Sequence, residues 1–213
     1  MKKTYVSKNV VRRLPRYLRK LDELSAAGVE RISSAGLGAR MGLTPSQIRQ
    51  DFSCFGGFGQ QGYGYNVASL REAFASILGL DRDCTLVLLG AGRIGQTLIE
   101  NLSFSAFGFR LLGAFDVNPE LVGTVIGSVT VRHAGEAAAF VREMGVDIAV
   151  LTTDRSHAQH AADLMVGSGI RGIWNFTEQE IDVGDSGVAV ESIHFSDSLL
   201  TLSYRLAERG GGE

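Results

Sequence analysis

Cysteine is scarce in this chain of 213 residues, which contains only Cys54 and Cys84. The first falls in a predicted apolar helix and the second at the start of a predicted strand. The sequence therefore has neither a CxxC redox motif nor a cysteine-based zinc site. We expect two buried free thiols and no bound metal.

Long apolar runs are also missing, although 45% of the residues are hydrophobic. No run approaches the roughly 20 residues that a helix needs to span a bilayer. The N-terminus is basic, but no apolar stretch follows it, so it lacks the pattern of a secretory signal peptide. We expect a soluble cytoplasmic protein whose length allows two domains, each with its own core.

The net charge of −2 conceals an uneven distribution of charge. Residues 1–80 contain 12 Lys+Arg and 5 Asp+Glu, a net charge of +7, whereas residues 81–213 contain 9 and 18, a net charge of −9. The basic first part favours a polyanionic partner such as nucleic acid. Because its cations cluster in one stretch, a solvated basic helix surface is the alternative.

A dinucleotide-binding fingerprint follows the basic part, in the sequence LVLLGAGRIG. The apolar run 85–89 predicts a buried parallel strand, and apolar residues at helical spacing follow the glycines. Gly90 would make the tight turn, Gly92 would let the backbone approach a pyrophosphate, and Gly95 would let helix and strand pack closely. The N-terminus of the helix would then face the phosphates.

A second predicted strand, 109–115, is followed by Asp116. A carboxylate there can accept hydrogen bonds from the adenosine ribose and would repel a 2′-phosphate, which favours NAD(H) over NADP(H). An ordinary strand-end carboxylate is the alternative. The glycines and Asp116 together predict a Rossmann-like domain that binds NADH or NAD+.

The first eighty residues predict a helix-turn-helix. A short helix begins near Ser33 or Ser34, Gly42 makes a turn, and a further helix begins at Thr44. An amphipathic helix that ends near Gly28 precedes them, with apolar residues at Val11, Leu14, Leu18, Leu21 and Leu24.

The helix that begins at Thr44 is the predicted recognition helix. Thr44 as N-cap and Gln47 three residues later form a capping box. Ile48 and Phe52 would face the core while Arg49 faces outward. The side chains offered to bases and phosphates are Ser46, Gln47, Arg49 and Gln50.

The glycine-rich segment GGFGQQGYGYN suits a β-hairpin, the wing of a winged helix. Gln60 and Gln61 at its tip would reach a minor groove, whereas Tyr63 and Tyr65 would pack the hairpin against the domain. A structural hairpin without DNA contact is the alternative. A fourth helix follows, with an apolar face of Leu70, Phe74, Ile77 and Leu78.

Seven segments carry a family resemblance, in the order VRRLPRYLRKL, ERISSAGLGARMG, IRQDFSCFGGFGQQGYGYNV, LLGAGRIG, AFDVNPELVG, GIRGIWNF and AVESIHF. Over nearly its whole length the chain resembles Rex, the bacterial redox-sensing transcriptional repressor. The resemblance implies an α/β fold: an N-terminal winged-helix domain, then a Rossmann-like doubly wound parallel sheet, then a C-terminal helix exchanged in a homodimer. The corresponding domains are 1–80, 81–195 and 196–213.

The resemblance also implies a function and its sites. It implies a repressor, not an enzyme, that binds an inverted-repeat operator in double-stranded DNA and is released by NADH. The expected cofactor-binding residues are Gly90, Ala91, Gly92, Arg93, Ile94, Gly95, Asp116, Thr152, Thr153, Asn175, Phe176 and Phe195. The expected DNA-binding residues are Ser33, Thr44, Ser46, Gln47, Arg49, Gln50, Gln60, Gln61, Gly62 and Tyr63.

The chain departs from the family pattern where the family switch lies. Asn101 stands where family members commonly have Tyr, and His194 where they have Asp, while Arg13 remains. Because Arg13 cannot form a salt bridge with His194, we expect these three switch residues to interact differently from those of the family. Histidine titrates near physiological pH, so pH-dependent sensing is one hypothesis. The family's TVP is replaced by Thr152, Thr153 and Asp154.

The wing departs from the family as well. Gln60 and Gln61 replace the usual Lys or Arg, which predicts fewer phosphate contacts and a shallower dependence of DNA affinity on salt.

The final segment, SDSLLTLSYRLAERGGGE, predicts a helix capped by Ser196 or Asp197. Its apolar positions surround much of the helix, which fits burial between two subunits or burial within its own domain. These positions are Leu199, Leu200, Leu202, Leu206 and Ala207.

Two other functions stay open from the sequence. An NAD-dependent dehydrogenase would need a proton donor, for which His157, His160 and His194 are candidates. A DNA-binding dimer that holds ADP, ATP or CoA would explain the altered residues around the nicotinamide position.

Overall fold

Two compact units make up the chain, Met1–Arg82 and Asp83–Glu213. The structure is a computed structural model that describes residues 6–58 and 63–210. Among these residues, no helix combines the length and apolar character needed to cross a membrane.

The N-terminal unit is mainly helical. Each of its helices begins after a polar side chain that accepts a hydrogen bond from the backbone N–H three residues on, and these caps are Ser7, Ser33, Thr44 and Asn66. The described helices are α1 (Lys8–Ala26), α2 (Ser34–Met41), α3 (Pro45–Ser53) and α4 (Val67–Ile77). A two-stranded antiparallel sheet pairs β1 (Arg31–Ile32) with β2 (Tyr65–Asn66).

The apolar stripe of α1 differs in detail from the prediction. Val11 is 46% exposed, Leu18 is only half-buried, and Val10 and Tyr17 occupy core positions instead. The buried residues of α1 are Val10, Leu14, Tyr17, Leu21 and Leu24. On α4 the expected core residue Ile77 is also exposed, whereas Leu70 and Phe74 are buried and Leu78 packs half-buried against the core.

Aromatic rings fill the centre of the N-terminal unit. The Phe52 ring packs edge-on against Tyr65 at 4.9 Å, Phe74 at 5.0 Å and Tyr17 at 5.2 Å between centroids. Edge-to-face pairs of this kind add to the free energy gained by burial. The core therefore joins α1, α3, α4 and β2 around one side chain of α3.

A buried carboxylate, Asp51, ties α1 to α3. Asp51 is fully buried, and its oxygens accept hydrogen bonds from Arg13 Nε at 2.6 Å and Nη2 at 2.8 Å, from the Tyr17 hydroxyl at 2.6 Å and from Gln47 Nε2 at 2.7 Å. A buried charge needs such partners. The sequence prediction of Arg13 as a switch residue overlooked this pair, in which both carboxylate oxygens already bind the guanidinium.

The Asp51 cluster also changes proton affinities. Burial raises the pKa of the Asp51 carboxyl, but hydrogen bonds from Arg13, Tyr17 and Gln47 lower it more, so the net pKa lies below the ordinary value. Burial, and then the bond to Asp51, raises the pKa of Tyr17. In the unfolded chain the pKa of Asp51 is about 4, and in the folded protein it is lower. The ionised Asp51 therefore stabilises the fold fully above about pH 4, and this stabilisation is lost as the pH falls through the folded pKa.

The C-terminal unit is built on a seven-stranded sheet in the order β5-β6-β4-β3-β7-β8-β9, which is parallel except for the β5–β6 pair. Its strands are β3 (Cys84–Leu89), β4 (Phe109–Asp116), β5 (Val125–Ile126), β6 (Val129–His133), β7 (Ile148–Leu151), β8 (Gly172–Asn175) and β9 (Ala189–Ser192). Without β5, the order is that of a Rossmann fold, and it reverses between β3 and β7. The short strand β9 was not predicted from the sequence.

Helices cover both faces of this sheet. On one face Leu86 and Leu88 share a core with Ile99, and on the other Val87 and Leu89 share a core with α6 and α7 residues. The helices of the unit are α5 (Arg93–Asn101), α6 (Ala137–Met144), α7 (Arg155–Val166) and α8 (Phe195–Gly210). Side chains alternate across β3, so the strand is buried on both faces as the apolar run predicts.

Three further expectations are corrected. Cys54 and Cys84 are free but half-exposed, so they are not buried thiols. The last helix begins at Phe195, before the predicted cap, and its leucines are exposed within the single chain, with Leu199 at 66%. Burial of α8 within its own domain is therefore wrong.

We predict that Asp51→Asn lowers the free energy of unfolding of the N-terminal unit by about 3 kcal/mol, because it removes one partner of a buried ion pair. Asp22→Asn is the matched control, since it breaks the exposed pair with Arg71 and should cost less than about 1 kcal/mol. Urea unfolding followed by far-ultraviolet circular dichroism tests both. The single tryptophan, Trp174, lies in the other unit, and its fluorescence transition should not move. Equal losses in the two variants would contradict the assignment.

Candidate functional site

The first candidate surface lies on α2 and α3. The Ser33 hydroxyl accepts a hydrogen bond from Gly36 N at 3.0 Å, and the Thr44 hydroxyl accepts one from Gln47 N at 3.1 Å. Gly42 separates the two helices in the left-handed conformation, with a φ of +67°. Two capped helices joined by a glycine turn form the predicted helix-turn-helix.

Helix α3 separates its core face from its exposed face. Ile48 and Phe52 are buried, whereas Ser46, Arg49 and Gln50 are exposed. This arrangement agrees with the division between packing and recognition that the apolar spacing predicts. The exposed face presents a guanidinium, an amide and a hydroxyl, which are groups that bind base edges and phosphates.

Gln47 takes a different place from the predicted one. Its backbone N–H completes the bond to Thr44, but its side chain donates to Asp51 at 2.7 Å, so only half of the capping box forms. The Gln47 amide is therefore already engaged within the unit, unlike its neighbours on the exposed face.

The wing is described only in part. Gln60, Gln61 and Gly62 lie outside the described residues. Tyr63 is 71% exposed, so its predicted packing role is wrong, whereas the Tyr65 side chain is buried as predicted. Strand β2 pairs with β1, and residues 55–58 form no strand, so the described residues do not show the predicted hairpin.

The second candidate site lies at the carboxyl ends of β3, β4 and β7, beside the point where the strand order reverses and where sheets of this kind form a ligand-binding cleft. Gly90 has a φ of +98°, and a Cβ there would lie 2.6 Å from the backbone of Thr152 and Thr153. A Cβ on Gly95 would overlap the carbonyl oxygen of Gly90. A Cβ on Gly92 would meet nothing within 4 Å. Two of the glycines therefore permit close packing, and the third leaves open space at the N-terminus of α5.

This open space fits a pyrophosphate. Gly92 is the N-cap of α5 and has no side chain to occupy the helix end, where backbone N–H groups and the helix dipole favour an anion. Arg93 and Ile94, the first residues of the helix, are both exposed. The residues present at the glycine loop thus fit the phosphates of a dinucleotide.

Asp116 closes the loop from the β4 side. Its Oδ2 accepts a hydrogen bond from Ala91 N at 2.6 Å, and its Oδ1 accepts one from Asn118 N at 2.8 Å. The side chain is half-buried. A carboxylate has about four lone-pair sites, so acceptor capacity remains for ribose hydroxyls.

The β7 side of the cleft holds the two threonines. The Thr152 hydroxyl lies 2.7 Å from the carbonyl oxygen of Gly90 and 3.1 Å from that of Leu89. This contact ties the end of β7 to the glycine loop. The Thr153 hydroxyl is buried and has no hydrogen-bond partner among the described residues.

The Asn175 side chain makes hydrogen bonds to three other parts of the chain. It is the last residue of β8 and fully buried, and its Nδ2 donates to Gln179 O at 2.8 Å and to Ser192 Oγ at 3.2 Å. Its Oδ1 accepts from the Thr177 N–H at 3.0 Å and hydroxyl at 2.6 Å. Its amide is therefore fully used within the chain, which sequence reasoning did not foresee.

Two aromatic side chains predicted to bind the cofactor lie close to one another. Phe176 is buried, whereas Phe195 is 55% exposed at the start of α8. Their ring centroids are 6.4 Å apart. The pair thus joins the end of β8 to the first turn of α8.

Each of the three predicted switch residues makes a contact within its own unit. Arg13 pairs with Asp51 in the N-terminal unit, and Asn101 ends α5 with its amide donating to Thr97 O at 3.0 Å. His194 lies 3.8 Å from Glu178 and 3.4 Å from Glu180 in the C-terminal unit.

The histidines proposed for an enzyme do not form an organised site. His157 and His160 are exposed on α7, and His157 Nδ1 contacts the hydroxyl of the adjacent Ser156 at 3.2 Å. Residues 6–58 and 63–210 contain no group of three or more His, Cys, Asp or Glu side chains arranged for a metal ion.

Comparison with known proteins agrees with this geometry. The family model "Putative DNA-binding protein N-terminus" matches residues 5–53, and the family model "CoA binding domain" matches residues 81–179. A redox-sensing transcriptional repressor Rex from Caldicellulosiruptor saccharolyticus is 50% identical over 98% of this chain and 94% of that protein. The chain belongs to the Rex family.

Two solved structures of the Rex-family repressor RSP match the whole fold. RSP in complex with β-NAD+ and operator DNA is 48% identical, with a TM-score of 0.91, over 98% of this chain and 95% of that chain. RSP in complex with β-NADH is 45% identical, with a TM-score of 0.89, over 98% and 97%. The predicted fold class is confirmed as an N-terminal DNA-binding domain, a mostly parallel Rossmann-like sheet domain and a C-terminal helix.

Sequence reasoning missed two structural features, the ion pair of Asp51 and the unpartnered hydroxyl of Thr153. Asp51 is three residues after Ile48, on the core face of α3, and a charge at that position signals a buried ion pair. The unpartnered Thr153 hydroxyl gave no comparable signal, because its surroundings are formed by other parts of the chain.

We predict that Gly95→Ala lowers the free energy of unfolding of the C-terminal unit by about 2 kcal/mol or more, because its Cβ would overlap backbone atoms of Gly90. Gly92→Ala adds the same methyl group to the same loop in open space and should change stability by less than about 1 kcal/mol. Trp174 fluorescence during urea unfolding measures both. A larger loss for Gly92→Ala would show that the roles are reversed.

Proposed function

We propose that this chain is a redox-sensing transcriptional repressor that binds operator DNA as a homodimer and is released when NADH binds. Membership of the Rex family supports the proposal. The repressor RSP matches nearly the whole chain, and it has been solved in complex with β-NAD+ and operator DNA and in complex with β-NADH. A repressor acts where its operator lies, which in a bacterium is the cytoplasm.

The N-terminal unit is the proposed DNA-binding part. The exposed side chains of α3 would contact base edges or phosphates, and these are Ser46, Arg49 and Gln50. The caps Ser33 and Thr44 would place the N-termini of α2 and α3 near the DNA backbone. The wing residues Gln60, Gln61, Gly62 and Tyr63 complete the proposed surface. The net charge of +7 over residues 1–80 supports it, since phosphate contacts dominate DNA affinity.

The C-terminal unit is the proposed nucleotide-binding part. The glycine loop 90–95 would hold the pyrophosphate and Asp116 the adenosine ribose, which disfavours a 2′-phosphate. Thr152, Thr153 and Phe195 would border the nicotinamide half, with Asn175 and Phe176 supporting them from β8. NADH and NAD+ differ in the charge of the nicotinamide ring, and this difference would distinguish the reduced from the oxidised dinucleotide in the bound state.

Helix α8 is the proposed dimer element. Its exposed apolar side chains would be covered by a second subunit, and these are Phe195, Leu199, Leu200, Leu202, Tyr204 and Leu206. A contiguous apolar face on a monomer marks an interaction surface. A two-fold dimer would present two copies of α3 to the half-sites of an inverted repeat.

The proposal assigns the chain no catalytic step. The difference in DNA affinity between NADH-bound and NAD+-bound forms would come from a coupling of about 1–3 kcal/mol, or roughly 5- to 150-fold. The domains 1–80, 81–195 and 196–213 are the proposed functional divisions, with the last exchanged between subunits.

A response to ADP, ATP or CoA is the second candidate. The match to a CoA binding domain and the departures at Asn101 and His194 favour including it in the test.

We predict that NADH releases a labelled inverted-repeat operator from the full-length protein, whereas NAD+ and ATP do not. Fluorescence anisotropy at fixed salt, with each nucleotide added separately, measures the release. Release by ATP, ADP or CoA alone would favour the second candidate, and binding that ignores every nucleotide would refute a redox switch.

We predict that two substitutions separate the two activities. Arg49→Ala should weaken operator binding and leave NADH affinity unchanged, whereas Arg110→Ala, which removes a cation from the other unit, should change neither. Asp116→Ala should reduce NADH affinity by one to two decades, because a hydrogen bond to a charged group contributes about 1.5–3 kcal/mol. Titration of NADH and operator against each variant measures both affinities. Loss of both activities in the Arg49 variant would identify Arg49 as structural.

A further inference from the structure

The Gln47 amide is one of the donors that surround the buried carboxylate of Asp51. Oδ1 of Asp51 accepts from Arg13 Nη2 at 2.8 Å and from Gln47 Nε2 at 2.7 Å, whereas Oδ2 accepts from Arg13 Nε and from the Tyr17 hydroxyl, both at 2.6 Å. An ionised carboxylate offers about four acceptor positions, so these four bonds use them all. Gln47 therefore completes the hydrogen bonding of a fully buried charge.

This contact fixes which way the Gln47 amide faces. An amide has an amino end that donates and a carbonyl end that accepts, and rotation of the terminal bond exchanges the two. A carboxylate only accepts, so the amino end must face Asp51. Rotation would bring two acceptor oxygens together and leave the buried charge with one donor fewer. The carbonyl oxygen Oε1 of Gln47 is therefore directed away from Asp51.

Gln47 lies at the border of the exposed face of α3. The helix begins at Pro45, so Gln47 belongs to the first turn, where the side chains of a recognition helix contact base edges. Around the helix it adjoins the exposed Gln50, three residues on, as well as the buried Asp51, four residues on. Gln47 is half-buried, and within residues 6–58 and 63–210 no group donates to its Oε1. This oxygen is available to a donor from outside the chain.

We propose that Oε1 of Gln47 accepts a hydrogen bond from an exocyclic amino group of a base in the major groove, and that Asp51 restricts Gln47 to this role. The inference rests on the proposed function and assigns one specificity-determining contact within it. In the major groove adenine N6 and cytosine N4 donate, whereas guanine O6 and thymine O4 accept. An amide held with its oxygen outward therefore selects adenine or cytosine against guanine and thymine.

Gln50 offers the same chemical group without this restraint. It is exposed, and in the described part of the chain the hydrogen bonds of Gln50 use its backbone only. Its amide can turn either end towards a base, so it does not distinguish an amino group from a keto oxygen beforehand. Gln50 is therefore the matched control for Gln47.

Removal of single amino groups from the DNA tests the contact. In one half-site of a labelled inverted-repeat operator, adenine is replaced by purine, or cytosine by pyrimidin-2-one, at one position at a time. At the base that Gln47 contacts, the change should raise the dissociation constant of the full-length parent protein about three- to tenfold, the range for one neutral hydrogen bond. In Gln47→Met, which keeps the length of the side chain without the amide, this loss should disappear.

A second operator tests the fixed orientation. At the same position it carries guanine in place of adenine, or thymine in place of cytosine, with the complementary base opposite. The keto oxygen should bind the parent no better than the amino-deficient base does, with the loss measured relative to Gln47→Met. An amide free to rotate would instead donate to the keto oxygen and recover the affinity.

Gln50→Met makes the same substitution three residues further along α3. It should weaken the complete and the amino-deficient operator by the same factor at the position that Gln47 contacts. Fluorescence anisotropy at fixed salt measures every affinity on the full-length protein. Urea unfolding followed by far-ultraviolet circular dichroism establishes that each variant is folded under the conditions of the titration.

The outcomes separate this inference from the function on which it rests. If the parent protein does not bind the operator, the proposed function fails and the contact fails with it. If the parent binds and no amino-deficient position shows a loss that depends on Gln47, the inference alone is overturned. Uniform weakening of all operators by Gln47→Met would also overturn it, by showing that Gln47 only supports α3. Equal binding of amino and keto bases at a position that depends on Gln47 would overturn the role of Asp51.

Discussion

The close contact between two backbone segments at Gly90 sets the form of the nucleotide cleft. Any side chain at this position would overlap the backbone that follows β7, and its φ of +98° suits only glycine. Because the segments meet, the Thr152 hydroxyl reaches the Gly90 carbonyl, and Ala91 N reaches the Asp116 carboxylate. The loop is thereby held from both sides of β3 with the open end of α5 between them.

A buried carboxylate has a comparable role in the N-terminal unit. Asp51 connects α1 to α3 by accepting hydrogen bonds from Arg13 and Tyr17, and it also accepts one from the Gln47 side chain. The exposed groups of α3 then belong to Ser46, Arg49 and Gln50, while its core face packs on aromatic rings. These three side chains therefore face solvent on a helix whose opposite face is held in the core.

The two units raise the question of how a signal would pass from nucleotide to DNA. Arg13 is engaged by Asp51, Asn101 bonds within its own helix, and His194 faces Glu178 and Glu180. Of the Arg, Tyr and Asp that the family resemblance implies at these positions, this chain keeps only Arg13. The hypothesis that this chain couples nucleotide to DNA by a different arrangement of Arg13, Asn101 and His194 stays a prediction.

The sequence by itself determined the features that local chemistry specifies. The caps of α2 and α3, the glycines of the fingerprint, the apolar strand β3 and the carboxylate after β4 each require particular residue types at fixed spacing, and the structure has them where they were expected. Only the tertiary structure decided that Arg13 pairs with Asp51, 38 residues away, that Val10 and not Val11 faces the core, that Asn175 uses its whole amide internally, and that Thr153 keeps an unpartnered hydroxyl. Hydrogen-bond satisfaction and burial depend on segments that are distant along the chain, so residue spacing alone does not reveal them.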